Sequence, residues 1–392
     1  MAGCTTTNID SQAISPTQRP LDLIAGLQAG PLRDKLASCE AGPFYRSDFS
    51  IGHRGAPFGY PEHTVEGYTA AAAMGAGFIE CDVTFTKDLA LVCRHSQCDL
   101  HRTTNILQTP LAASCTSGFS PATLGGNGSS GNPASAQCCT SDITLAEFQT
   151  LCGRRDIVND TALNVADYLT APTSKLVDSP TICGALMTHS GSIRLIDKLG
   201  ANFIPELKNP AVKMPFKGMT QADYASRLIQ EYEVAGIPAH RVRPQAFSVE
   251  VVKYWLQAHP EFGKNAVYLD PRGRQPDFVA SLEDMQALKE AGISILAPPM
   301  SMLLTLDSAG ELQPSDYAKF ARQAGLKLVT WTFESGQASD PNNWLYANIS
   351  AYMDNESRML EVLDALHNKV GISGIFSDWP GTVTYYANCQ GL

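Results

Sequence analysis

Several features are missing from this 392-residue sequence, and each absence narrows the possible functions. There is no run of about eighteen or more apolar residues, so we predict no transmembrane helix. Positive charge is scarce: 29 Lys and Arg stand against 39 Asp and Glu, and the net charge of −10 argues against a nucleic-acid partner. No glycine-rich dinucleotide loop is present, which argues against an open, doubly wound nucleotide-binding sheet.

The composition is typical of a soluble globular protein, with 44% hydrophobic and 17% charged residues. A chain of this length can form one large domain with an insertion, or two domains. The opening MAGCTTTNIDSQ lacks the apolar stretch of a signal peptide. We expect a mature chain whose signal is absent from this sequence, rather than a cytosolic protein.

Cysteine, by contrast, is abundant, and six of the eleven cysteines lie in one Gly-, Ser- and Pro-rich region: Cys98, Cys115, Cys138, Cys139, Cys152 and Cys183. This density predicts disulfides that hold a loop-rich insertion in an oxidising compartment, because the low-complexity segment 114–141 cannot bury a core. A thiolate metal cluster is the weaker alternative, since there is no pair of Cys-x-x-Cys motifs. Cys4 and Cys389 are a further candidate pair if the termini meet.

The expected location is therefore secreted, extracellular or periplasmic. Four Asn-x-Ser/Thr sequons are compatible with a secreted glycoprotein: Asn127, Asn159, Asn348 and Asn355. The sequence makes no prediction of oligomeric state or of disulfide connectivity.

Three short motifs between residues 51 and 105 carry candidate catalytic side chains: His53-Arg54-Gly55, Glu80-Cys81-Asp82 and His95. Each lies within or at the end of a short apolar run, which is typical of a strand. Two histidines, an arginine and two carboxylates are thus delivered from strand ends, and we expect them to share one pocket.

The spacing of Glu80 and Asp82 indicates a metal site. Side chains alternate along a strand, so these two carboxylates point to the same side. They would repel each other unless a cation lay between them, and oxygen ligands favour Ca²⁺ or Mg²⁺ over zinc. A further carboxylate, Glu206, ends a later apolar run in a similar setting.

Strands and helices alternate along the rest of the chain. Helical patterns separate eight predicted strands near residues 50, 79, 204, 245, 268, 295, 329 and 375. Eight such units predict a closed (β/α)₈ TIM barrel, in which active residues lie at the C-terminal ends of the strands. A hairpin strand at 91–95 should bring His95 close to Glu80.

We predict four regions: an N-terminal arm with short helices at 1–45, a barrel domain at 46–385, a disulfide-rich insertion within it at 97–200, and a C-terminal tail at 386–392. The insertion follows the second barrel strand. Its last part, 187–199, is amphipathic and is predicted to be the helix before the next barrel strand.

The candidate site suits a phosphodiester. Glu80, Asp82 and Glu206 would hold one metal ion, and Arg54 and Lys208 would bind an anion. Two histidines are then left for acid and base catalysis: His53 and His95.

The motifs HRGA, PEHT, GAGFIECDVTFTKD and LVCRHSQCDLHRTTN together resemble those of the glycerophosphodiester phosphodiesterases, and PEHT resembles the periplasmic or secreted branch. The resemblance continues through IPELKNP, PQAFSVEVVKYW, LVTWTFE and GISGIFSDWPGTV, and it covers most of residues 49–385.

This resemblance implies hydrolysis of small glycerophosphodiesters, such as glycerophosphocholine, to glycerol 3-phosphate and an alcohol. It implies a divalent metal, Ca²⁺ in preference to Mg²⁺, on Glu80, Asp82 and Glu206. It also implies catalytic His53 and His95, with His95 as the acid, and a pocket role for Glu62. Ser96 departs from the family pattern, which usually has Asp beside the second histidine.

Other residues are assigned weaker roles. Trp331, at a strand end, is a candidate pocket wall, and Gln245 is a candidate substrate contact. Asp378 is interpreted as the anchor of a backbone turn, His63 as surface or structural, and Cys81 as packed outward against helices.

Two alternative functions remain at this point. One is a phospholipase D-like enzyme acting on lysophospholipid or sphingomyelin. The other is a non-catalytic phosphodiester-binding barrel, which the intact set of histidines and carboxylates argues against.

Overall fold

A computed structural model describes residues 14–123, 125, 131–170, 183–275 and 277–392. Its strands, in chain order, are β1 (Ser47–Gly52), β2 (Ala76–Ile79), β3 (Asp82–Phe85), β4 (Leu91–Cys93), β5 (Ser117–Ser120), β6 (Ser135–Gln137), β7 (Cys152–Gly153), β8 (Gly184–Ala185), β9 (Asn202–Phe203), β10 (Glu206–Leu207), β11 (Gln245–Ala246), β12 (Val267–Leu269), β13 (Ile295–Ala297), β14 (Leu304–Leu306), β15 (Leu312–Pro314), β16 (Lys327–Leu328), β17 (Thr330–Phe333) and β18 (Ile375–Ser377).

The α-helices are α1 (Arg19–Ala25), α2 (Pro31–Ala37), α3 (Val65–Ala73), α4 (Leu100–Thr103), α5 (Leu145–Phe148), α6 (Val165–Tyr168), α7 (His189–Lys198), α8 (Gln221–Val234), α9 (Val249–Ala258), α10 (Pro260–Gly263), α11 (Leu282–Glu290), α12 (Asp316–Gln323), α13 (Arg358–Ala365) and α14 (Pro380–Gln390). Many begin at a Ser or Thr whose hydroxyl accepts a backbone N–H of the first turn. Thr64, for example, accepts from Gly67 at 3.2 Å. Every predicted strand position lies within or beside an observed strand.

Twelve of the described strands pair in two larger sheets, and the other six form three separate antiparallel pairs: β5–β6, β7–β8 and β14–β15. One larger sheet has the order β17-β18-β1-β2-β9, and the other has the order β16-β13-β12-β11-β10-β3-β4. Within these two larger sheets the pairs are parallel except for β3 and β4, which form the predicted antiparallel hairpin. Parallel strands joined by helices are the arrangement that the alternating pattern predicts.

The prediction of one closed ladder of hydrogen bonds is not met, because three strands are interrupted and their halves belong to different sheets. The interruptions fall between β2 and β3, between β9 and β10, and between β16 and β17. One of them contains Pro205, which has no N–H to donate to a ladder. The backbone nevertheless continues alongside its neighbour, since the N–H of Glu206 donates to Cys81 O at 3.0 Å.

Apolar side chains fill both sides of the strands. A central cluster consists almost entirely of strand residues and includes Ile51, Phe78, Val267, Leu269 and Phe376. A larger cluster lies between the strands and the surrounding helices. Because the strands are buried on both faces, the polar side chains at their ends are held by a rigid core.

The cysteine-rich region has a small core of its own. Buried residues of this second cluster include Leu100, Ile106, Ile143, Phe148 and Tyr168. All six cysteines of the region pair within it, as Cys98–Cys139, Cys115–Cys138 and Cys152–Cys183. The prediction that segment 114–141 cannot bury a core was too strong, because Ala134 and Cys138 belong to this cluster.

Two further cysteine pairs correct the sequence interpretation. Cys389 pairs with Cys39, whereas its candidate partner Cys4 lies outside the described residues. Cys81 pairs with Cys93 across the hairpin of β3 and β4, so it is not simply packed against helices. This second pair joins the strand segment that carries Glu80 to the one that leads into His95.

The C-terminal residues form a helix rather than a loose tail. Helix α14 continues to Gln390 and buries Tyr386 and Ala387, which lie in the region predicted as a tail. None of the helices in the described part of the chain has both the length and the apolar character of a membrane span.

Candidate active site

Seven of the ten predicted site residues line one cavity of about 360 Å³: His53, Arg54, Glu80, His95, Glu206, Lys208 and Trp331. They come from the C-terminal ends of several strands, where the barrel architecture is expected to place them. The other three, Glu62, Asp82 and Gln245, are buried and do not line this cavity. Seven of the predicted residues are therefore placed to contact a ligand in the cavity, and the other three are placed to support them.

Three carboxylates form the most polar part of the site. Ligand atoms of Glu80, Asp82 and Glu206 all lie within 4.8 Å of one another, and the three residues are buried. Glu206 and Asp82 are aligned partners on neighbouring strands β10 and β3, which explains the close approach. Such a cluster would be unstable if every group were ionised and no cation were bound.

The pKa values of these carboxylates show the effects of their burial and mutual repulsion. Burial, with the charges of Asp82 and Glu206, raises the pKa of Glu80 well above its ordinary value. Burial also raises the pKa of Glu206 to about 7, although the Lys208 ammonium opposes the shift. Burial would raise the pKa of Asp82 too, but the charges of Lys208 and His63 hold it well below its usual range.

The donor set fits a hard divalent cation. Oδ1 of Asp82 is buried, and within the described residues it has no hydrogen-bond partner. An unpaired buried carboxylate oxygen is costly unless it serves as a ligand. Three carboxylates without cysteine match the oxygen ligands that Ca²⁺ and Mg²⁺ prefer.

The two candidate catalytic histidines have different surroundings. His53 donates from Nδ1 to Oδ1 of Asp378 at 2.5 Å, and its Nε2 lies 3.8 Å from Oε2 of Glu80. His95 follows β4 and is half-buried. Burial, together with the charges of Arg54 and Lys208, lowers the pKa of the His95 imidazole well below its ordinary value.

A buried ion-pair network lies behind Arg54. Glu62 accepts from Nη1 of Arg54 at 3.0 Å and from Nη2 of Arg94 at 2.6 Å. Burial would raise the pKa of Glu62, but the two guanidinium groups hold it below its ordinary value. Glu62 is therefore placed to orient Arg54. It does not line the cavity itself and affects the cavity only by holding Arg54 in position.

Lys208 and Gln245 hold the carboxylates in place. The Lys208 ammonium lies 2.8 Å from Oε1 of Glu206. Gln245 donates from Nε2 to Oε1 of Glu80 at 2.7 Å and to the carbonyl of Ile204 at 3.2 Å. Gln245 thus contacts the metal-ligand candidate Glu80 from behind, whereas the sequence analysis predicted a substrate contact.

Three supporting residues were missed or undervalued from the sequence. His63 is buried, donates from Nε2 to Oδ2 of Asp82 at 2.9 Å, and is 3.0 Å from the hydroxyl of Tyr68. Asp378 contacts His53, and Arg94 contacts Glu62. Asp378 directly follows β18, so the strand-end rule that selected the other site residues could have selected it too.

One wall of the cavity is aromatic. The Trp331 ring centroid lies 5.7 Å from that of Phe247 and 5.8 Å from that of Trp344. The indole N–H of Trp331 donates to the carbonyl of Ala297 at 2.9 Å, which fixes the ring. Phe247, Trp344 and the adjacent Arg274 were not predicted as site residues, because they come from separate loops.

Comparison with known proteins gives consistent results. The model of the glycerophosphoryl diester phosphodiesterase family matches residues 53–382. An extracellular protein of Arthroderma benhamiae is 38% identical over 244 residues, which are 60% of this chain and 100% of that protein.

Solved structures show the same fold. The crystal structure of a Silicibacter pomeroyi protein assigned to the glycerophosphoryl diester phosphodiesterases has a TM-score of 0.58 and 19% identity, covering 90% of this chain and 96% of that one. An Oleispira antarctica phosphodiesterase, in complex with the product sn-glycerol-3-phosphate, has a TM-score of 0.52 and 16% identity, covering 86% and 96%. The architecture shared with these structures is the TIM barrel.

Proposed function

Because this chain belongs to the glycerophosphoryl diester phosphodiesterase family, we propose that it hydrolyses small glycerophosphodiesters, such as glycerophosphocholine, to glycerol 3-phosphate and an alcohol. The enzyme class is that of the phosphoric diester hydrolases, as the family match shows. The Oleispira antarctica neighbour, which holds sn-glycerol-3-phosphate, supports glycerol 3-phosphate as the product.

The observation that carries this proposal is the placement of two histidines, a buried carboxylate cluster and two cations around a single cavity. A phosphodiester is an anion that a nucleophile must approach, so its charge has to be neutralised before an oxygen can attack phosphorus. Arg54 and Lys208 supply positive charge on the cavity wall, in a chain whose net charge is −10.

The carboxylates Glu80, Asp82 and Glu206 are the residues that would hold a divalent cation, Ca²⁺ in preference to Mg²⁺. When bound, the ion would neutralise the phosphate oxygens and polarise the phosphorus centre. Gln245 and His63 keep Glu80 and Asp82 in position, as outer partners of metal ligands commonly do.

His53 acts as the base in this proposal, and His95 as the acid. The Asp378 carboxylate accepts a hydrogen bond from Nδ1–H of His53, which leaves Nε2 free to accept the proton of the attacking hydroxyl. A new P–O bond forms, the P–O bond to the alcohol breaks, and His95 gives a proton to the leaving oxygen. The attacking hydroxyl belongs either to water or to the glycerol part of the substrate. In the second case a cyclic phosphate forms, and water then attacks its phosphorus and breaks the P–O bond to the attacking glycerol oxygen, which gives glycerol 3-phosphate.

His95 must carry a proton to act as the acid. In the free site, burial disfavours its protonated form, and the charges of Arg54 and Lys208 add to this effect. A bound phosphodiester brings negative charge next to the same two cations and offsets their effect. Substrate binding therefore favours the proton-donating form of His95.

Residues 97–200 are proposed to form an insertion after the second barrel strand, within a barrel domain at 46–385. The separate buried cluster and the three internal cysteine pairs support this division for residues up to the start of α7. Helix α7 itself packs on the barrel, since Ile193 and Ile196 belong to the larger core.

The protein is proposed to act outside the cytosol. Five cysteine pairs at disulfide distance and the similarity to an extracellular protein of Arthroderma benhamiae support this location. Of the predicted glycosylation sites, Asn348 and Asn355 are exposed, Asn159 is half-buried, and Asn127 lies outside the described residues.

The test is release of glycerol 3-phosphate from glycerophosphocholine by the wild type and by His95→Ala, with EDTA and after addition of Ca²⁺ or Mg²⁺. We expect activity that EDTA abolishes, that a metal restores, and that His95→Ala reduces by about 10²-fold or more. The exposed His240→Ala serves as a matched control and should behave as the wild type.

Two results would contradict the proposal in different ways. Turnover of lysophospholipid or sphingomyelin, but not of glycerophosphocholine, would favour the phospholipase D-like alternative. Metal-dependent binding of glycerophosphocholine without turnover would favour a non-catalytic barrel.

A further inference from the structure

Three aromatic rings and one guanidinium form a compact group at the mouth of the cavity. The Cζ atom of Arg274 lies 5.4 Å from the ring centroids of Trp331 and Trp344, and 5.9 Å from that of Phe247. All three distances fall within the range of a cation–π contact, which extends to about 6 Å. We call Phe247, Trp331 and Trp344 the aromatic cage.

The cage holds Arg274 by its ring faces. Within the described residues, the Arg274 guanidinium has neither a hydrogen bond nor an ion pair, and its residue is exposed. The neighbouring Arg272 differs, because it is bound to Asp270 at 2.8 Å and 2.9 Å. Arg272 is thus fixed by a carboxylate, whereas Arg274 can leave the cage without breaking an ion pair.

The cage adjoins the reaction centre. The Lys208 ammonium lies 5.9 Å from the Phe247 ring centroid and 2.8 Å from Oε1 of Glu206. One side chain therefore separates the carboxylate cluster from the first ring of the cage. A substrate whose phosphate contacts Lys208 would place a short substituent on phosphorus next to Phe247 and Trp331.

We propose that the aromatic cage is the subsite for the alcohol part of the diester, that it selects a quaternary ammonium headgroup, and that Arg274 occupies it until substrate binds. The inference rests on the proposed function and adds the determinants of headgroup choice. Ring faces attract any cation, but a trimethylammonium group has no N–H to leave without a partner, so it gains most from a site made of rings.

Arg274 has a defined part in this selection. Its guanidinium competes with the headgroup for the same ring faces, so part of the headgroup's binding free energy is used to displace it. Removal of the guanidinium should therefore strengthen binding of a cationic headgroup. A neutral headgroup of the same shape would gain less, because the displaced guanidinium stays nearby and repels only the charged headgroup.

The first experiment compares kcat/KM of the metal-loaded full chain for glycerophosphocholine and for its uncharged 3,3-dimethylbutyl isostere. We expect a preference of about tenfold for the charged ester in the wild type. Trp344→Leu should bring this ratio close to one. Tyr45→Leu, which removes an exposed aromatic ring outside the cavity, should leave the ratio as in the wild type. A wild-type ratio near one, or a ratio insensitive to Trp344→Leu, would overturn the proposal.

Arg274→Ala distinguishes two roles of Arg274: competition with the headgroup for the aromatic cage, and binding of the substrate phosphate. If Arg274 occupies the headgroup subsite, this variant lowers KM for glycerophosphocholine several-fold and changes KM for the uncharged isostere less. If Arg274 instead binds the substrate phosphate, KM rises for both esters, and the assigned role is wrong.

A binding experiment tests the cage even if no diester is hydrolysed. Tetramethylammonium chloride is titrated against the tryptophan fluorescence of the wild type, of Arg274→Ala and of Trp344→Leu. We expect a saturable change in the wild type, tighter binding in Arg274→Ala and weaker binding in Trp344→Leu. Absence of a saturable change in the first two proteins would overturn the cage, whereas its presence without hydrolysis would overturn only the proposed function.

Discussion

Asp378→Asn removes the carboxylate that supports His53 and should reduce kcat far more than it raises KM. Asp378 Oδ1 lies 2.5 Å from Nδ1 of His53, and Asp378 does not line the cavity. An asparagine oxygen can still accept the Nδ1 hydrogen, so the ring orientation is retained. The lost component is the negative charge that stabilises the imidazolium formed when His53 takes a proton.

The size of the effect follows from the charge that is lost. The two side chains are only 14% and 15% exposed, so solvent screens their interaction weakly. Two unit charges about 4 Å apart interact by roughly 4 kcal/mol at an effective dielectric constant of about 20. We take this as an upper bound and expect a loss in kcat of about 10²- to 10³-fold, or roughly 3–4 kcal/mol.

The assay is steady-state hydrolysis of glycerophosphocholine by the wild type, Asp378→Asn and the surface control Asp316→Asn, with circular dichroism as a check on folding. Asp316 is exposed and pairs only with Lys319 among the described residues, so its variant should retain wild-type kinetics. A folded Asp378→Asn enzyme with unchanged kcat would refute the reasoning. A rise in KM without a fall in kcat would show that Asp378 acts on binding instead.

Three further predictions follow from other parts of the structure. Glu206→Gln should weaken Ca²⁺ binding at least tenfold in calorimetry, because it removes one of three clustered carboxylates; unchanged binding would place the metal elsewhere. Burial raises the pKa of Glu334 to about 7, so the folded state retains a proton that the unfolded state releases, and the free energy of unfolding should fall by up to roughly 3 kcal/mol as pH rises from about 4.5 to about 7. Glu334→Gln should flatten this part of the pH–stability curve, and an equally steep curve in the variant would exclude Glu334 as the cause. The double variant Cys81→Ala/Cys93→Ala opens a cross-link with a sequence separation of 12 residues and should cost about 2–4 kcal/mol in urea unfolding, whereas unchanged stability would show that the pair is not bonded.

The strand-end residues could be identified from the sequence because their evidence is local. His53, Glu80, Asp82 and Glu206 each stand beside an apolar run, and the barrel architecture brings strand ends together. The structure places the three carboxylates within 4.8 Å of one another, as this reasoning predicts. The same local evidence predicted the hairpin of β3 and β4.

The supporting contacts could not be predicted in the same way, since they join distant parts of the chain. Asp378 is 325 residues from His53, and His63 is 19 residues from Asp82. A sequence pattern identifies a histidine but does not show what lies beside its ring. The assignment of His63 as surface or structural missed its contact with Asp82 for this reason.

The aromatic cage and the cysteine pairs illustrate the same limit. Phe247 follows β11, Trp331 lies within β17 and Trp344 comes from the segment after β17, and no spacing rule relates them. Cys39 and Cys389 are 350 residues apart and meet only because helix α14 packs against the N-terminal helices. The interruptions in strand pairing could not be predicted either, because the positions of strands in the sequence do not show where the pairing stops.

The most direct test of the central claim is a ³¹P NMR time course of glycerophosphocholine with the metal-loaded wild-type enzyme. The proposed site and chemistry predict that the diester signal is replaced by that of glycerol 3-phosphate, with or without a transient cyclic phosphate. Accumulation of phosphocholine would mean that the opposite P–O bond is broken and would contradict the account.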